Sequence, residues 1–389
     1  MRFLDEVKDC IPESPETEFS LDRMERLFGA SFRTGMKATL QNPAFHGEGD
    51  VYTHTEMVLR ELLKNPAFYR LPGMQRAELF LAAVLHDIGK VKTTQMENGV
   101  WVSPHHASTG SQMVRTLLWQ DFGVCGTPEM LVFRETVCAL VRYHMLPVRL
   151  MAQDDPERTV RRIASVGELA KDFSWELLLL LAESDVRGRI ADDIEEGLTQ
   201  VELARMTAAE AGCLSAPYPF QDRYTEYAWL SGRNVQPDQA LYDDTWGEVI
   251  LLSGLPGTGK DTWIARHAPD LPQVSLDEIR TSSGIRPKDE QGEVIQAAQA
   301  AARACLRKKQ PFVWNATNLT RETRRKLTGL FERYGARVRI VYLETDAETR
   351  AARNAGRPYA VPEAAVSRML QKTVPPAADE AQTVEWICV

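Results

Sequence analysis

The segment Gly254-Leu-Pro-Gly257-Thr258-Gly259-Lys260-Asp261-Thr262 constrains this chain more than any other stretch. It follows the short apolar run EVILLS (248–253), and the residues after it favour a helix. Three glycines in that context predict a strand, a tight turn and a helix N-terminus, the arrangement that aims backbone N–H groups at a phosphate. Lys260 adds a point charge against the terminal phosphates, and the helix start adds its partial positive charge. Gly254, Gly257, Thr258, Gly259, Lys260, Asp261 and Thr262 are therefore candidate nucleotide-binding residues, for ATP or another NTP with Mg²⁺. Asp261 stands where such loops carry the Ser or Thr whose hydroxyl ligates the metal. Two readings are open: Asp261 holds the metal, directly or through water, or Thr262 substitutes.

Further strand candidates are QVSL (273–276), PFVWN (311–315) and RVRIVYLE (337–344), separated by helical patterns at 290–309, 321–334 and 346–356. Strands alternating with helices predict crossover units and a parallel sheet. Asp277 and Arg280 lie one helical turn apart after the second strand, at the carboxyl edge where open α/β sheets bind ligands. A carboxylate there can take the proton of an attacking hydroxyl. Arg350, Arg353 and Arg357 share a helix face by spacing, with a proline after Arg357 to end the helix. Such a stripe is either solvated surface or, beside a phosphate loop, an arginine lid over the transferring phosphate.

The first half reads differently. Apolar residues recur at helical spacing in 55–64, 76–87, 110–119, 130–143 and 174–186, and no segment alternates like a clean strand. From about 190 the pattern weakens into a helical extension and a connecting segment. The expected division is a first domain over 1–240 and a second over 241–389. In the first, His86-Asp87 ends an apolar helical pattern and offers a neutral nitrogen beside an anionic oxygen, a sound ligand pair for a divalent transition metal. Five of the seven histidines (54, 86, 105, 106, 144) fall in one span, and Asp185 follows on a later helix.

Composition narrows the setting. Of 389 residues, 44% are hydrophobic and 26% charged, which suits globular domains, and a net charge of −8 argues against a generally basic surface that coats nucleic acid. The first residues lack the apolar core of a signal peptide. The longest apolar run, Leu177 to Ala182, is far short of the roughly 20 residues that cross a bilayer. Six scattered cysteines without CxxC spacing predict reduced thiols. A cytoplasmic enzyme without a membrane partner is the expectation.

The motifs GLPGTGKDT, SLDEIR, NATN and RxxRxxxRP resemble the polynucleotide 5′-kinase family over roughly 245–375. That resemblance implies Asp277 as general base on a 5′-hydroxyl, Arg280 on the acceptor's 3′-phosphate, and Arg353 and Arg357 as lid arginines. It also implies acceptor contacts at Asn315 and Asn318, with Asn315 standing where the family has an aspartate. Residues 45–190 resemble the HD superfamily of metal-dependent phosphohydrolases, whose pattern H…HD…D matches His54, His86, Asp87 and Asp185. The extended pattern of CCA-adding enzymes adds His106 and His144, the spacing to Gly110 favouring His106 over His105. Lys90 and Arg189 are phosphate contacts or plain surface cations, and His46 is a further phosphate contact.

In domain order, length and motifs the chain resembles the bacterial HD-Pnk end-healing family. The resemblance implies an all-α HD-type helical domain before an α/β P-loop kinase domain. The implied activities are 5′-OH phosphorylation and removal of 2′,3′-cyclic and 2′- or 3′-phosphates from RNA or DNA ends, with an RNA ligase in the same pathway. The alternative is a nucleoside or sugar kinase fused to a nucleotide phosphohydrolase.

Overall fold

A computed structural model describes residues 2–17, 19–285, 292–357 and 359–389. The chain divides into two units, one taking residues up to Val124 with Glu129–Tyr218, the other Cys125–Pro128 with Pro219–Val389.

The first unit is built from helices whose apolar faces converge. Helix Val51–Lys64 starts where Asp50 accepts the Thr53 N–H, a side-chain cap typically worth about 1 kcal/mol. It buries Val51, Val58, Leu59, Leu62 and Leu63, a 3.6-residue stripe. Helix Gly73–Leu85 is buried on every side from Ala77 to Leu85, as its nearly unbroken apolar sequence requires. Helices His106–Gln120, Pro128–Tyr143 and Trp175–Arg187 pack in the same core, and the run Leu177–Ala182 is interior helix. The exception to the all-helical expectation is a small hairpin, β1 (Gln95–Glu97) antiparallel to β2 (Val100–Val102). Asn98 and Gly99 connect them, both at positive φ, the Asn-Gly turn that matches strand twist. Its strands are too short and too exposed to show alternation.

The second unit carries a five-stranded sheet: β3 (Glu248–Ser253), β4 (Gln273–Ser275), β5 (Phe312–Asn315), β6 (Arg337–Glu344) and β7 (Thr383–Cys388). The order is β4-β5-β3-β6-β7, all parallel. Both faces are covered, as a parallel sheet demands. Val249, Leu251, Phe312 and Ile340 face one core with Ala298, Ala302 and Phe331, while Ile250, Leu252 and Val341 face the other with Trp263 and Ile264.

β4 stops at Ser275 rather than 276 because the Ser275 hydroxyl accepts the Glu278 N–H and caps helix Leu276–Ser282. The expected helices appear as Gly292–Arg307, Arg321–Glu332 and Ala347–Ala355. Residues 290 and 291 of the first pattern, and the proline at 358, lie outside the described residues. β7 and helix Glu363–Leu370 extend the unit past the predicted elements. Helix Arg223–Leu230 packs with the second unit, capped by Asp222. Among the described residues no helix is long and apolar enough to cross a membrane, and none of the six cysteines is in a disulfide.

Candidate functional sites

In the helical unit, four imidazoles converge on one carboxylate. His86 Nδ1 meets Ala83 O (2.8 Å), His144 Nδ1 meets Val141 O (2.7 Å) and His106 Nδ1 meets Ser103 O (2.9 Å), each three residues upstream. A carbonyl only accepts, so each Nδ1 carries a proton and each Nε2 is turned to the interior. Those Nε2 atoms, with that of His54, face Asp87, whose two oxygens are divided between them. Oδ2 lies 3.6 Å from His54 Nε2 and 3.4 Å from His86 Nε2. Oδ1 lies 3.5 Å from His106 Nε2 and 3.7 Å from His144 Nε2. Asp185 Oδ1 is 3.1 Å from His54 Nε2, a separation at which the pair shares a proton or a cation.

Burial opposes ionisation of Asp87 and Asp185, but Lys90 and His86 around the first, and His54 beside the second, hold both carboxyls well below the usual range. Burial also opposes charge on His54, yet Asp185 and Glu48 outweigh it and raise its pKa to about 9. His144 goes the other way: burial, with His86 beside it, lowers it to about 3 and keeps it neutral.

Two overlapping donor sets share Asp87, namely His54, His86 and Asp87, and Asp87, His106 and His144. Asp87 Oδ1 and His106 Nε2 are buried without a hydrogen-bond partner. Buried polar atoms left in this way are costly unless a ligand takes them. Imidazole nitrogens around anionic oxygens suit a divalent transition ion, so the residues present fit a metal.

Close backbone approaches bring these parts together. A Cβ at Gly89 would collide with the His106 carbonyl, and one at Gly188 would sit 2.6 Å from Val58 N. Glycine at 89 thus lets the His-Asp turn meet the His106 helix, and glycine at 188 lets the Asp185 helix meet the His54 helix. Lys90 is buried, donating to Asp87 Oδ2 (2.7 Å) and Gln41 Oε1 (2.7 Å). Arg189 lies near enough to Asp185 to help keep it ionised. His105 is exposed at the helix start with φ 55°, outside the cluster.

Glu48 belongs to the site and escapes the sequence pattern. Its Oε1 lies 2.9 Å from both His46 Nδ1 and His54 Nδ1, and its Oε2 accepts the Ile190 N–H. His54 Nδ1 also faces Gly188 O at 3.2 Å. The available signal is an acid two residues after His46, ahead of the histidine helix.

In the sheet unit a cleft of about 320 Å³ opens at the carboxyl ends of the strands. It is lined by Gly257, Gly259, Lys260, Asp261, Thr262, Asp277, Arg280, Asn315, Arg353 and Arg357 among others. Gly254, Gly257 and Gly259 all have positive φ, which turns the loop around the cleft. Lys260 Nζ donates to the Gly254 and Leu255 carbonyls (3.0 and 2.9 Å), and enclosure by the loop lowers its pKa to about 8.

Asp277 is clasped on both oxygens, by Arg280 on Oδ1 and by Arg357 Nη2 on Oδ2 (2.8 Å). Burial works against its charge, but the two guanidiniums win and lower its pKa. Arg350 turns away to Glu363 (2.7 Å), so Arg353 and Arg357 alone of the stripe line the cleft.

Two residues of the expected set point elsewhere. The Thr258 hydroxyl is buried against Leu255 O (2.9 Å). Asn318, at φ 44°, donates its amide to Leu252 O (2.6 Å) and latches β5's exit to β3. Asn315 reaches the cleft, its Nδ2 donating to Asp261 Oδ1 (2.7 Å).

The HD domain family model matches residues 51–194, and an AAA domain family model matches residues 249–376. The chain is also similar to the multifunctional CCA protein of Hahella chejuensis (strain KCTC 2396), with 29% identity over 152 residues, 38% of this chain and 31% of that protein. The match therefore spans about a third of the length of that curated relative. A cluster of buried histidines and aspartates on helices, followed by a phosphate loop on a parallel sheet, thus corresponds to an HD domain joined to a P-loop kinase-like domain.

Proposed function

We propose that the chain heals nucleic-acid ends. The sheet unit transfers the γ-phosphate of ATP to a 5′-hydroxyl, and the helical unit hydrolyses 2′,3′-cyclic and 2′- or 3′-phosphate ends. The observation that carries the reading is the meeting of Lys260, Asp277, Arg280 and two further arginines in one cleft, on the same chain as a His-Asp cluster that fits a metal. A kinase of small neutral alcohols has little use for a cation pair beside its base. An acceptor that brings its own phosphates does.

In this reading the loop and Lys260 hold the terminal phosphates while Arg353 neutralises charge that builds on them. Arg357 passes from Asp277 Oδ2 to the transferring phosphate, which frees that oxygen to take the proton of the attacking hydroxyl. Arg280 stays to receive the acceptor's adjoining phosphate. In the helical unit, His54, His86, Asp87 and Asp185, with His106 and His144, would hold one or two divalent ions. Bound metal there supplies a hydroxide at neutral pH and screens the phosphate oxygens. Lys90 keeps Asp87 ionised, and Arg189 faces the phosphate end.

The test offers the purified chain a short RNA with a 5′-OH and a 2′,3′-cyclic phosphate, with ATP, Mg²⁺ and a panel of divalent metals. Product masses should show a phosphate gained at one end and the cyclic phosphate opened or lost at the other. Unchanged RNA, with ATP consumed when free nucleosides or sugars are added, would replace this reading with the small-molecule pair.

A further inference from the structure

The cleft of the sheet unit holds an unusual pairing of one charge with one amide. In a P-loop enzyme, Mg²⁺ is ordinarily held by the hydroxyl that follows the loop lysine and by a carboxylate at the end of a neighbouring strand. Here both positions are occupied by the opposite residue type. The residue after Lys260 is a carboxylate, Asp261, and the residue ending β5, beside β3, is an amide, Asn315. The two touch: Asn315 Nδ2 donates to Asp261 Oδ1 at 2.7 Å. One neutral group and one negative group are kept, in contact, with their places exchanged.

Elimination points to the same oxygen. Asp261 and Asp277 are the carboxylates that line the cleft. Asp277 has a guanidinium on each oxygen, Arg280 on one and Arg357 on the other. A divalent cation placed between two arginines would meet repulsion, not a ligand. Asp261 is exposed, lines the cleft and is bound on Oδ1 by an uncharged donor, while its Oδ2 takes no hydrogen bond among the described residues. Mg²⁺ favours anionic oxygen and keeps part of its water shell, which the Asn315 carbonyl can accept.

Resting on the kinase reading above, we propose that Asp261 and Asn315 form a transposed Mg²⁺ site. Asp261 supplies the one protein charge on the metal, and Asn315 orients that carboxylate by its amide. It follows that making the loop more ordinary damages it. Asp261→Ser creates the usual Gly-Lys-Ser sequence and removes the metal's only carboxylate, whereas Asn315→Asp then returns a carboxylate at the strand end.

The experiment measures the affinity of the full chain for a non-hydrolysable fluorescent ATP analogue, with saturating Mg²⁺ and with EDTA. Mn²⁺ bound with the nucleotide is read independently by electron paramagnetic resonance. Wild type should bind tighter with Mg²⁺. Asp261→Ser should lose that tightening by at least about tenfold, the size found when even an indirect metal partner is removed. With EDTA it should bind as tightly as wild type or tighter, because a charge that repels phosphate is gone.

The double variant Asp261→Ser/Asn315→Asp should recover most of the Mg²⁺ effect and the Mn²⁺ signal. Full Mg²⁺ tightening in Asp261→Ser, lost instead in Thr262→Val, would overturn the proposal in favour of the hydroxyl. A double variant no better than Asp261→Ser, with melting unchanged, would overturn the transposition. If wild type binds no nucleotide under either condition, the kinase reading itself falls, and the metal site with it.

Discussion

At the helical site the groups gathered on Asp87 are side chains, and they come from several helices and the turns beside them. His54 and Asp185 are 131 residues apart in sequence and 3.1 Å apart in space. At the sheet cleft the backbone of one loop is set locally, by three glycines with positive φ. The first site concentrates charge in a buried space and depends on every long-range contact that closes it. The second is organised locally, stays open, and leaves only a few side chains to decide chemistry. One site is thus built by assembled side-chain charge and the other by local main-chain geometry.

The sharpest way to break this contrast is to remove one charge from each site. Asp87→Ala takes away the carboxylate that both donor sets share. Phosphoesterase turnover and bound metal should vanish together, by several orders of magnitude, with kinase turnover retained. Lys260→Ala should abolish kinase turnover and leave phosphoesterase intact, yet nucleotide should still bind measurably, because the loop's N–H groups remain. Paired activity assays with metal analysis and nucleotide titration check both. A single substitution that silenced both activities would end the picture of two independent sites.

A smaller effect tests how far the open site depends on remote packing. Arg324 is fully buried, donates to both oxygens of Glu380 (2.7 and 2.8 Å), and also caps the Asn318 and Val374 carbonyls. Leaving Glu380 buried and unpaired costs about 3–5 kcal/mol, so Arg324→Ala should lower the denaturation midpoint strongly. Urea unfolding followed by fluorescence measures it.

At the closed site, Glu48→Gln keeps the shape and removes the charge that orients His54. Metal affinity should fall by about 10–100-fold, measured by competition with a chelating dye. A fall of less than twofold would mean that Gly188 O alone orients the ring.

The smallest effect concerns stability. Glu78 is fully buried on the helix that ends in His86-Asp87, its oxygens lack well-formed hydrogen bonds, and burial, with Asp172 nearby, raises its pKa well above the usual value. The folded state therefore holds this proton while the unfolded chain releases it, and stability falls as pH rises above the ordinary carboxylate range. Glu78→Gln should raise the melting temperature at pH 7 by a few degrees, for a gain of about 1 kcal/mol. The gain should shrink toward pH 4, and thermal scans across that window show whether it does.

Much of this molecule is written in short-range pattern. The strand, glycine turn and lysine of the phosphate loop are neighbours in sequence, and steric limits on φ leave them few arrangements. The His-Asp pair at the end of an apolar helix is equally local, and the helical and strand periods separate the two halves. What the sequence alone left unread depends on contacts between residues far apart. Glu48 gains meaning only when His54 Nδ1 arrives beside it, Gly89 only against the His106 carbonyl, and Gly188 only against Val58. β7 is half-buried along its length and lies on the sheet's edge, so its pattern is weak until β6 pairs with it. Thr258 and Asn318 belong to binding motifs by spelling, but the Thr258 hydroxyl is taken by Leu255 O in its own loop and the Asn318 amide by Leu252 O of β3. Local sterics determine which backbone turns form. Which polar atoms face the cleft, and which are consumed in holding it open, is decided by the packing of distant segments.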